Sequence, residues 1–220
     1  MTKPNASSPE TPTPRKRGRP PKDRLGDSAE TRALVIQAGL ALLTEKGYSA
    51  VGLDEILRNS GVPKGSFYYH FKSKEEFGLL LIEEYDRFFC RKLDKAFLDD
   101  SKTPLNRLRS FIEGAESGMA RFEYRRGCLV GNLGQEMSAL PERFRTRLKA
   151  VFDAWERRTA SVLRQAQAQG EIAPELDCAK LAHWFWTGWE GAVLRAKLEG
   201  NTDPLHSFAE GFFFLLGSDL

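Results

Sequence analysis

Hydrophobic residues recur three or four positions apart along most of the chain, which is the spacing of one helical face. The first run consists of Ala33, Ile36, Leu40 and Leu43. Asp27 and Glu30 resemble a capping box ahead of this run, and Gly47 interrupts it, so a first helix is predicted between these limits. The chain has no alternating strand pattern of useful length and no internal repeat. The pattern therefore predicts an all-α protein of roughly nine helices.

Two short helices separated by a tight turn are predicted next. Residues 53–60 place Ile56 and Leu57 on one face, and Gly61 follows at the position where helices commonly turn left-handed. Pro63 suits the first turn of a third helix over about residues 64–70, because its φ is already close to the helical value. This arrangement predicts a helix-turn-helix unit.

A long helix is predicted to leave this unit. Ser73 and Glu76 have the spacing of a second capping box, and no breaker stronger than Gly78 precedes Asp100. Beyond it, prolines at positions 104, 141 and 204 indicate helix starts, and glycines at positions 170 and 200 indicate helix ends. The prediction is a three-helix domain of residues 27–76 followed by a larger helical domain of residues 77–220.

Charge and composition divide the chain in the same way. Residues 1–76 contain 13 Lys and Arg against 9 Asp and Glu, whereas residues 77–220 contain 20 against 21. The positive excess of the first third is where a polyanion would dock. Residues 1–26 combine Pro, Ser, Thr and basic residues without periodicity, so they are predicted to form a disordered basic arm.

Several other classes of protein are not favoured. There is no secretory signal and no apolar run of membrane-spanning length, so a cytoplasmic protein with no membrane partner is expected. The three cysteines, Cys90, Cys128 and Cys178, are widely spaced without a C-x-x-C pair, which predicts free thiols and no metal site. No phosphate-loop motif occurs, and no cofactor is predicted.

The third predicted helix carries the first candidate site. Phe67 and Phe71 are four positions apart and can pack onto the two preceding helices. The small or cationic residues at its start let the backbone approach a base or phosphate closely, and the phenol and imidazole groups on the other faces can donate to phosphate oxygens. The alternative is a solvated surface helix with an aromatic core. These candidate residues are Lys64, Gly65, Ser66, Tyr68, Tyr69 and His70.

The stretch "GYSAVGLDEILRNSGVPKGSFYYHFKSKEEF", residues 47–77, resembles the DNA-binding domain of the TetR family of transcriptional repressors. The resemblance covers about residues 28–77. It implies double-stranded DNA as a partner, with Gly65 and Ser66 nearest the bases and Lys64, Tyr68, Tyr69, His70 and Lys74 mainly on phosphates. The chain departs from the family pattern at Val51, where Thr is usual, and at Leu57, where a small residue is usual. Val51 cannot donate to a phosphate.

The basic arm contains "RKRGRPPK", residues 15–22, which resembles an AT-hook core. Arg17 and Arg19 flank a Gly that lets an extended chain lie in a narrow minor groove, where negative potential attracts arginine. The alternative is a solubilising basic tail. Next to a helix-turn-helix, an arm that wraps the duplex is the preferred interpretation.

The family resemblance implies that the C-terminal helices dimerise and bind a small effector. Residues 141–169 and 181–198 each carry a broad apolar stripe, and two such helices per chain could form a four-helix interface. A homodimer with recognition helices one DNA turn apart is therefore expected. The first of these stripes consists of Phe144, Leu148, Val151, Phe152, Trp155 and Leu163.

The stretch "YRRGCLVGNLGQEM", residues 124–137, supplies the candidate effector site. Arginines flank Cys128, and nearby cations lower the pKa of a thiol, so Cys128 is a candidate reactive thiol. Two functional alternatives and one structural alternative stay open: covalent modification of Cys128, a small carboxylate held by Arg126, Asn132 or Gln135, and a merely buried Cys128. The stretch resembles the TetR-like subgroup that responds to acrylate or to electrophiles such as N-ethylmaleimide.

The stretch "HWFWTGWEG", residues 183–191, adds Trp189 and Glu190 as effector candidates. A Trp-lined pocket is one interpretation, and an aromatic core is the other. Glu190 in this apolar setting would need a partner, for which Arg126 or Arg195 is plausible.

These patterns favour a ligand-responsive transcriptional repressor. A constitutive DNA-binding protein is the alternative, and a Cys-dependent enzyme is a remote one, because no nucleophile signature surrounds Cys128 and no catalytic residues are predicted.

Overall fold

The computed structural model describes residues 25–218, and within this range the chain forms nine α-helices and no strands. The helices are α1 (Leu25–Lys46), α2 (Leu53–Ser60), α3 (Lys64–His70), α4 (Lys74–Phe97), α5 (Pro104–Ala120), α6 (Leu129–Gln135), α7 (Glu142–Ala168), α8 (Cys178–Glu199) and α9 (Asp203–Leu215). The predicted all-α fold is confirmed. One boundary is wrong: α1 is already helical at Leu25, so Asp27 is not its N-cap.

The first three helices share a small aromatic core. Phe67 of α3 is fully buried, with its ring 5.0 Å from that of Phe71 and 5.3 Å from that of Phe77 at the start of α4. Gly61 ends α2 with a φ of 69°, and this left-handed turn redirects the chain into α3. Val51, which departs from the family pattern, is itself fully buried. Its side chain therefore stabilises the core.

The long helix α4 links this unit to the rest of the chain. Ser73 caps it, because its Oγ accepts a hydrogen bond from the Glu76 backbone N–H at 3.1 Å. The helix packs against α5 and α7. The described helices include none that is both long and apolar enough to cross a lipid bilayer.

Aromatic side chains fill the middle of the C-terminal domain. Trp155, Trp186 and Trp189 are almost fully buried, and the Trp155 and Trp186 ring centroids lie 4.9 Å apart. The indole N–H of Trp186 donates to Thr159 at 3.0 Å, which satisfies its polar atom inside the core. The "HWFWTGWEG" stretch is thus mainly part of the core.

The predicted interface stripe on α7 faces inward. Phe144, Val151, Trp155 and Leu163 are fully buried against the same chain, so they cannot form the surface of an interface. Because α7 lies between α4, α5 and α8, its apolar face is already covered. The exposed large apolar side chains of α8 and α9 are Trp184, Leu194, Leu198, Phe214 and Leu215.

Candidate DNA-binding surface and effector site

Helix α3 separates its apolar and polar residues on opposite faces. Phe67 and Phe71 are buried, whereas Tyr68 and Tyr69 are 53% and 79% exposed. The two phenol hydroxyls make no hydrogen bond within residues 25–218, so they are free to donate to a ligand. Pro63 accepts from the Ser66 N–H at 2.9 Å, which closes the first turn.

The start of α3 is accessible as well. Lys64 and Gly65 are exposed, and Ser66 and His70 are half-buried. Lys64 lies 3.4 Å from Asp54, but both side chains are mostly exposed, so this ion pair is weak. A phosphate could replace it at little cost.

Lys74 differs from the other predicted DNA contacts. Its Nζ donates to the Tyr48 carbonyl at 3.0 Å and lies 4.2 Å from the centroid of the Tyr48 ring. Burial lowers its pKa, and this ammonium is therefore largely committed to its own chain. Arg17 and Arg19 lie outside the described residues.

Cys128 caps the start of α6, where its Sγ accepts from the Gly131 N–H at 3.5 Å. The thiol is buried, and Glu190 of α8 and Tyr85 of α4 lie close enough to influence its ionisation. Burial, together with the nearby Glu190 carboxylate, raises the pKa of Cys128 well above its ordinary value. The prediction that flanking cations lower this pKa is wrong.

The neighbouring arginines point elsewhere. The Arg125 Nε lies 3.6 Å from a Glu123 carboxylate oxygen, and the Arg126 guanidinium stands 4.3 Å from the centroid of the Phe122 ring. Residues adjacent in sequence project from the loop in different directions, so the cationic flank does not surround the sulfur of Cys128.

Glu190 is the group of this site whose pKa lies near neutrality. Burial raises the pKa of its carboxyl to about 7. Gly131 makes room for it, because a Cβ at that position would lie 2.0 Å from the Glu190 Oε2. The predicted arginine partners are wrong, since Arg195 pairs with Glu199 within its own helix. The Cys128 thiol is the group that lines the cavity beside Glu190 instead.

Three donors around this site hold the C-terminal end of α1. The Gly127 N–H donates to the Thr44 carbonyl at 3.0 Å. Asn132 Nδ2 donates to the carbonyls of Leu43 at 3.1 Å and Thr44 at 2.9 Å. The last carbonyls of a helix lack intrahelical partners, so these bonds cap α1 from the C-terminal domain.

The third donor comes from α8. Lys197 Nζ donates to the Glu45 carbonyl at 2.6 Å, and a cation at a helix C-terminus is also favoured by the helix dipole. We call Gly127, Asn132 and Lys197 the α1 clamp. Lys197 could not be identified from the sequence, because nothing local indicates that a residue of α8 reaches α1.

Glu136 extends the contact beyond the end of α1. Its carboxylate accepts from the backbone N–H groups of Tyr48 at 2.9 Å and Ser49 at 2.7 Å. Gly47 has a φ of 82°, and a Cβ there would lie 1.9 Å from Glu136 Oε1. Glycine is therefore required at this position for two reasons, the left-handed backbone and the close approach of Glu136.

A small cavity of about 10 Å³ lies between α6 and α8. Cys128 and Glu190 line it together with all three members of the α1 clamp. Of the other predicted effector residues, Gln135 lines this cavity, whereas Arg126 and Trp189 do not. The volume is about that needed for one water molecule, so any larger ligand must separate residues that also hold α1.

Comparisons with known proteins agree with this architecture. Residues 35–79 match the family described as bacterial regulatory proteins, tetR family, and residues 104–212 match tetracyclin repressor-like, C-terminal domain. The transcriptional regulator AcuR of Cereibacter sphaeroides is 57% identical over 204 residues, which cover 93% of this chain and 92% of AcuR. The chain belongs to the TetR family. It is thus a transcriptional regulator with a helix-turn-helix DNA-binding domain, not an enzyme.

More distant relatives are named as repressors. The regulator is 33% identical to the HTH-type transcriptional repressor DhaR of Mycobacterium sp. strain GP1 over 177 residues, covering 80% of this chain and 87% of DhaR. It is 27% identical to the HTH-type transcriptional repressor NemR of Escherichia coli K12 over 185 residues, which cover 81% of this chain and 89% of NemR.

Solved structures show the same fold. The regulatory protein TetR from Rhodobacter sphaeroides superposes with a TM-score of 0.82 at 60% identity, covering 83% of this chain and 96% of that one. The reduced form of E. coli NemR superposes with a TM-score of 0.76 at 24% identity, and the match covers 83% of this chain and 95% of the NemR chain. The similarity to the NemR structure shows the fold alone.

Proposed function

We propose that this repressor binds a double-stranded operator as a homodimer in the cytoplasm and releases it when a small α,β-unsaturated carbonyl compound, such as acrylate, occupies the cavity at Cys128. The observation that carries the effector part is that the residues lining this cavity are also the donors of the α1 clamp.

The DNA part of the proposal rests on the exposed surface of α3. Lys64, Gly65 and Ser66 would approach the base edges and adjacent phosphates, and Tyr68 and Tyr69 would donate to phosphates from their exposed hydroxyls. His70 and Lys74 would contribute at the edge of this surface. Arg17 and Arg19 would enter the adjoining minor groove. Deleting residues 1–24 should then reduce the slope of log affinity against log salt by ~0.9 for each lost phosphate contact.

The dimer would be formed by the exposed apolar face of α8 and α9. Leu198 and Phe214 are 76% and 82% exposed, and large apolar side chains at this density mark an interaction surface. A two-fold interface there would place two copies of α3 about one DNA turn apart, roughly 34 Å.

The chemistry of the cavity supports a small effector with a carbonyl group. The Glu190 carboxyl, with a pKa of about 7, can be protonated and donate to a carboxylate or carbonyl oxygen, and the Lys197 ammonium also lines the cavity. Gln135 and the oxygen of Asn132 offer further polar contacts. The nearby core is filled by large aromatic rings, which disfavours a bulky ligand at this position.

A covalent route would use the same residues. The thiol proton of Cys128 passes to the Glu190 carboxylate, the sulfur bonds to the β-carbon of the unsaturated compound, and the π electrons move toward its carbonyl oxygen. The α-carbon then takes a proton from Glu190, so the addition consumes no other reactant. Glu190 is suited to this exchange because its pKa is close to neutrality.

Either route would transmit its effect through the α1 clamp. A ligand in a cavity of about 10 Å³ pushes α6 away from α8, and this lengthens the bonds from Asn132 or Lys197 to the carbonyls of α1. Because α1 belongs to the DNA-binding domain, loosening it changes the spacing of the two recognition helices. A coupling of about 1–3 kcal/mol would change operator affinity roughly 5- to 150-fold.

Operator release tests this proposal. An operator is selected in vitro from random duplexes, and its fluorescence anisotropy with the regulator is followed during titration with acrylate or N-ethylmaleimide. Methylglyoxal, a reactive carbonyl compound without a conjugated double bond, is titrated for comparison. Wild type and Cys128→Ser are compared. Loss of the response in Cys128→Ser supports the covalent route, and a retained response to acrylate supports noncovalent binding. No response to acrylate or to N-ethylmaleimide contradicts the effector class, while the same assay still measures DNA binding.

The pH dependence separates the two routes independently. Noncovalent acrylate binding requires a protonated Glu190, so its affinity should fall as pH rises through about 7. Thiol addition requires the ionised carboxylate as a base, so its rate should rise over the same range. Tyr85, Cys128 and Lys197 also face this site, and burial keeps Tyr85 and Cys128 protonated throughout that range.

A further inference from the structure

A second and larger cleft lies at the junction of the two domains. It has a volume of about 300 Å³ and is lined by α1, by the end of α2 and by Arg126 of the loop that precedes α6. We propose that this cleft is a separate binding site for an amphipathic organic anion, with the anionic group on Arg126 and the apolar body on α1.

The charged part of the site is the Arg126 guanidinium. The Arg126 Cζ lies 4.3 Å from the centroid of the Phe122 ring. Within residues 25–218, no carboxylate forms an ion pair with the Arg126 guanidinium. An aromatic ring leaves the guanidinium edge, with its fork of N–H donors, available to a carboxylate. The arginine is therefore held in place but its charge is not neutralised.

The loop that carries Arg126 is fixed on α1. Glu123 and Tyr124 both have positive φ, at 53° and 56°, and this turn reverses the chain after α5. The next constraint is the Gly127 N–H, which donates to the Thr44 carbonyl at 3.0 Å. Arg126 is thus positioned by bonds on its own loop, and a ligand would not have to order it.

The floor of the cleft is apolar. Leu34 is 44% exposed although it is a large aliphatic residue, and Ala38, Ala41 and Leu42 continue the same face of α1 toward Arg126. Covering such a surface removes apolar area from water, worth about 25 cal/mol for each Å². Small side chains at the two alanines leave the space that a hydrocarbon chain would fill.

The rim of the cleft is polar and sets the ligand's orientation. Gln37 and Asn59 supply amide groups on the sides facing α1 and α2. Glu45 is the acidic residue in the lining, and its charge interacts with Lys46 and Lys197. Because the Glu45 carboxylate would repel an anion, the anionic head is directed toward Arg126, the cationic residue of the lining.

The volume limits the size of the ligand. Because ~10–15 Å³ of such volume holds one water molecule, the cleft has space for roughly 20 to 30 water-sized groups and accommodates octanoate, which has about ten non-hydrogen atoms. It is also at the lower end of the range for small-molecule sites. A ligand of this size would contact both domains and would stabilise the domain arrangement of this structure.

Titration calorimetry with octanoate tests the proposal on the full chain. We expect saturable binding of one octanoate per chain, at least about tenfold tighter than the binding of 1-octanol, which has the same chain without the charge. Arg126→Gln should weaken octanoate at least about tenfold, and so should Leu34→Glu, which places a negative charge on the floor. Both changes are at accessible positions, and circular dichroism would verify that each variant is folded.

Two further variants locate the site. Arg125→Gln is the matched control, because Arg125 is an adjacent arginine that is exposed and does not line the cleft. It should leave octanoate affinity within about twofold of wild type. Cys128→Ser should also leave it unchanged, since Cys128 lines the other cavity. Equal binding by wild type and Arg126→Gln, equal binding of octanoate and 1-octanol, or loss of binding in Cys128→Ser would each overturn the proposal. None of these results depends on operator release.

Discussion

Helices α3 and α6 are each seven residues long, but they use their polar groups in opposite ways. In α3, the phenols of Tyr68 and Tyr69 and the ammonium of Lys64 are exposed. In α6 and at its start, the Cys128 sulfur already accepts from the Gly131 N–H, and Asn132 is already hydrogen-bonded to α1. A partner of α3 can therefore bind without breaking strong contacts, whereas a partner at α6 must disrupt existing ones.

This difference separates a binding surface from a switch. In the proposed function, DNA would gain hydrogen bonds from α3 with little loss, which favours tight binding. At α6, part of the free energy of effector binding would be used to break the bonds to α1, and this part would be the allosteric coupling.

The largest expected effect is on the α3 side of the comparison. The double substitution Lys64→Ala with Tyr68→Ala should weaken operator binding on the order of 100-fold, because two phosphate contacts are lost. The melting temperature should stay close to wild type, since both side chains are exposed. Anisotropy titration at fixed salt measures the affinity, and Lys95→Ala on α4 is the control. Undiminished affinity in the double variant would contradict the assignment of α3 as the recognition helix.

The next effect concerns the half-buried Glu190 carboxyl beside α6. Burial raises the pKa of Glu190 from its usual value near 4.5 to about 7, so its ionisation opposes folding. The stability contributed by the protonated Glu190 carboxyl is fully present below pH ~4.5 and is lost as pH rises through about 7. Glu190→Gln removes this ionisation. The free energy of unfolding of the variant, measured relative to wild type, should therefore be about 2 kcal/mol more favourable to folding at pH ~8 than at pH ~5. Urea unfolding of both proteins at the two pH values provides the measurement, and a pH-independent difference would show that Glu190 does not titrate in this range.

The α1 clamp gives an effect of intermediate size. Asn132→Ala removes the donors to the Leu43 and Thr44 carbonyls, and we expect operator affinity to fall about tenfold, within the usual range of allosteric coupling. Gln135→Ala is the matched control, because Gln135 is an exposed amide on the same helix. An identical affinity for both variants would remove the clamp from the mechanism.

The smallest effect is expected for an exposed interdomain contact. Arg143 of α7 lies 3.4 Å from Glu75 at the start of α4, and the arginine side chain is 73% exposed. Arg143→Ala should change the free energy of unfolding by less than about 0.5 kcal/mol and operator affinity by less than about twofold. A loss as large as that of Asn132→Ala would mean that the exposed contact, rather than the α1 clamp, holds the DNA-binding domain.

The helix-turn-helix unit could be predicted from sequence because its signals are local. Gly61 and the i, i+4 pair of Phe67 and Phe71 act within a few residues, and each had the predicted structural role. Pro63 marks the start of α3 as predicted, but it is the extended N-cap residue rather than part of the first turn. Lys74 shows the limit of this reasoning. Its position in the motif is as expected, but its ammonium is occupied by Tyr48, which is 26 residues away.

The effector site was only partly predictable. Cys128, Asn132, Gln135 and Glu190 do meet at one cavity, but Arg126 lines the other cleft and Trp189 lies in the aromatic core. Adjacent residues in a loop project in different directions, so sequence proximity did not indicate which arginine faces the thiol. The prediction for α7 was wrong for a related reason, since an apolar stripe does not reveal whether it meets the same chain or another.

By itself, the sequence determined the all-α class, most helix boundaries and the polarity of α3, because periodicity, capping and turn residues act over one or two helical turns. Only the tertiary structure decided that donors from α6 and α8 cap α1, that the half-buried Glu190 carboxyl rather than an arginine lies beside Cys128, and that Arg126 belongs to a second cleft. These features depend on residues far apart in the chain, and burial sets the pKa of a group through neighbours that no local pattern identifies.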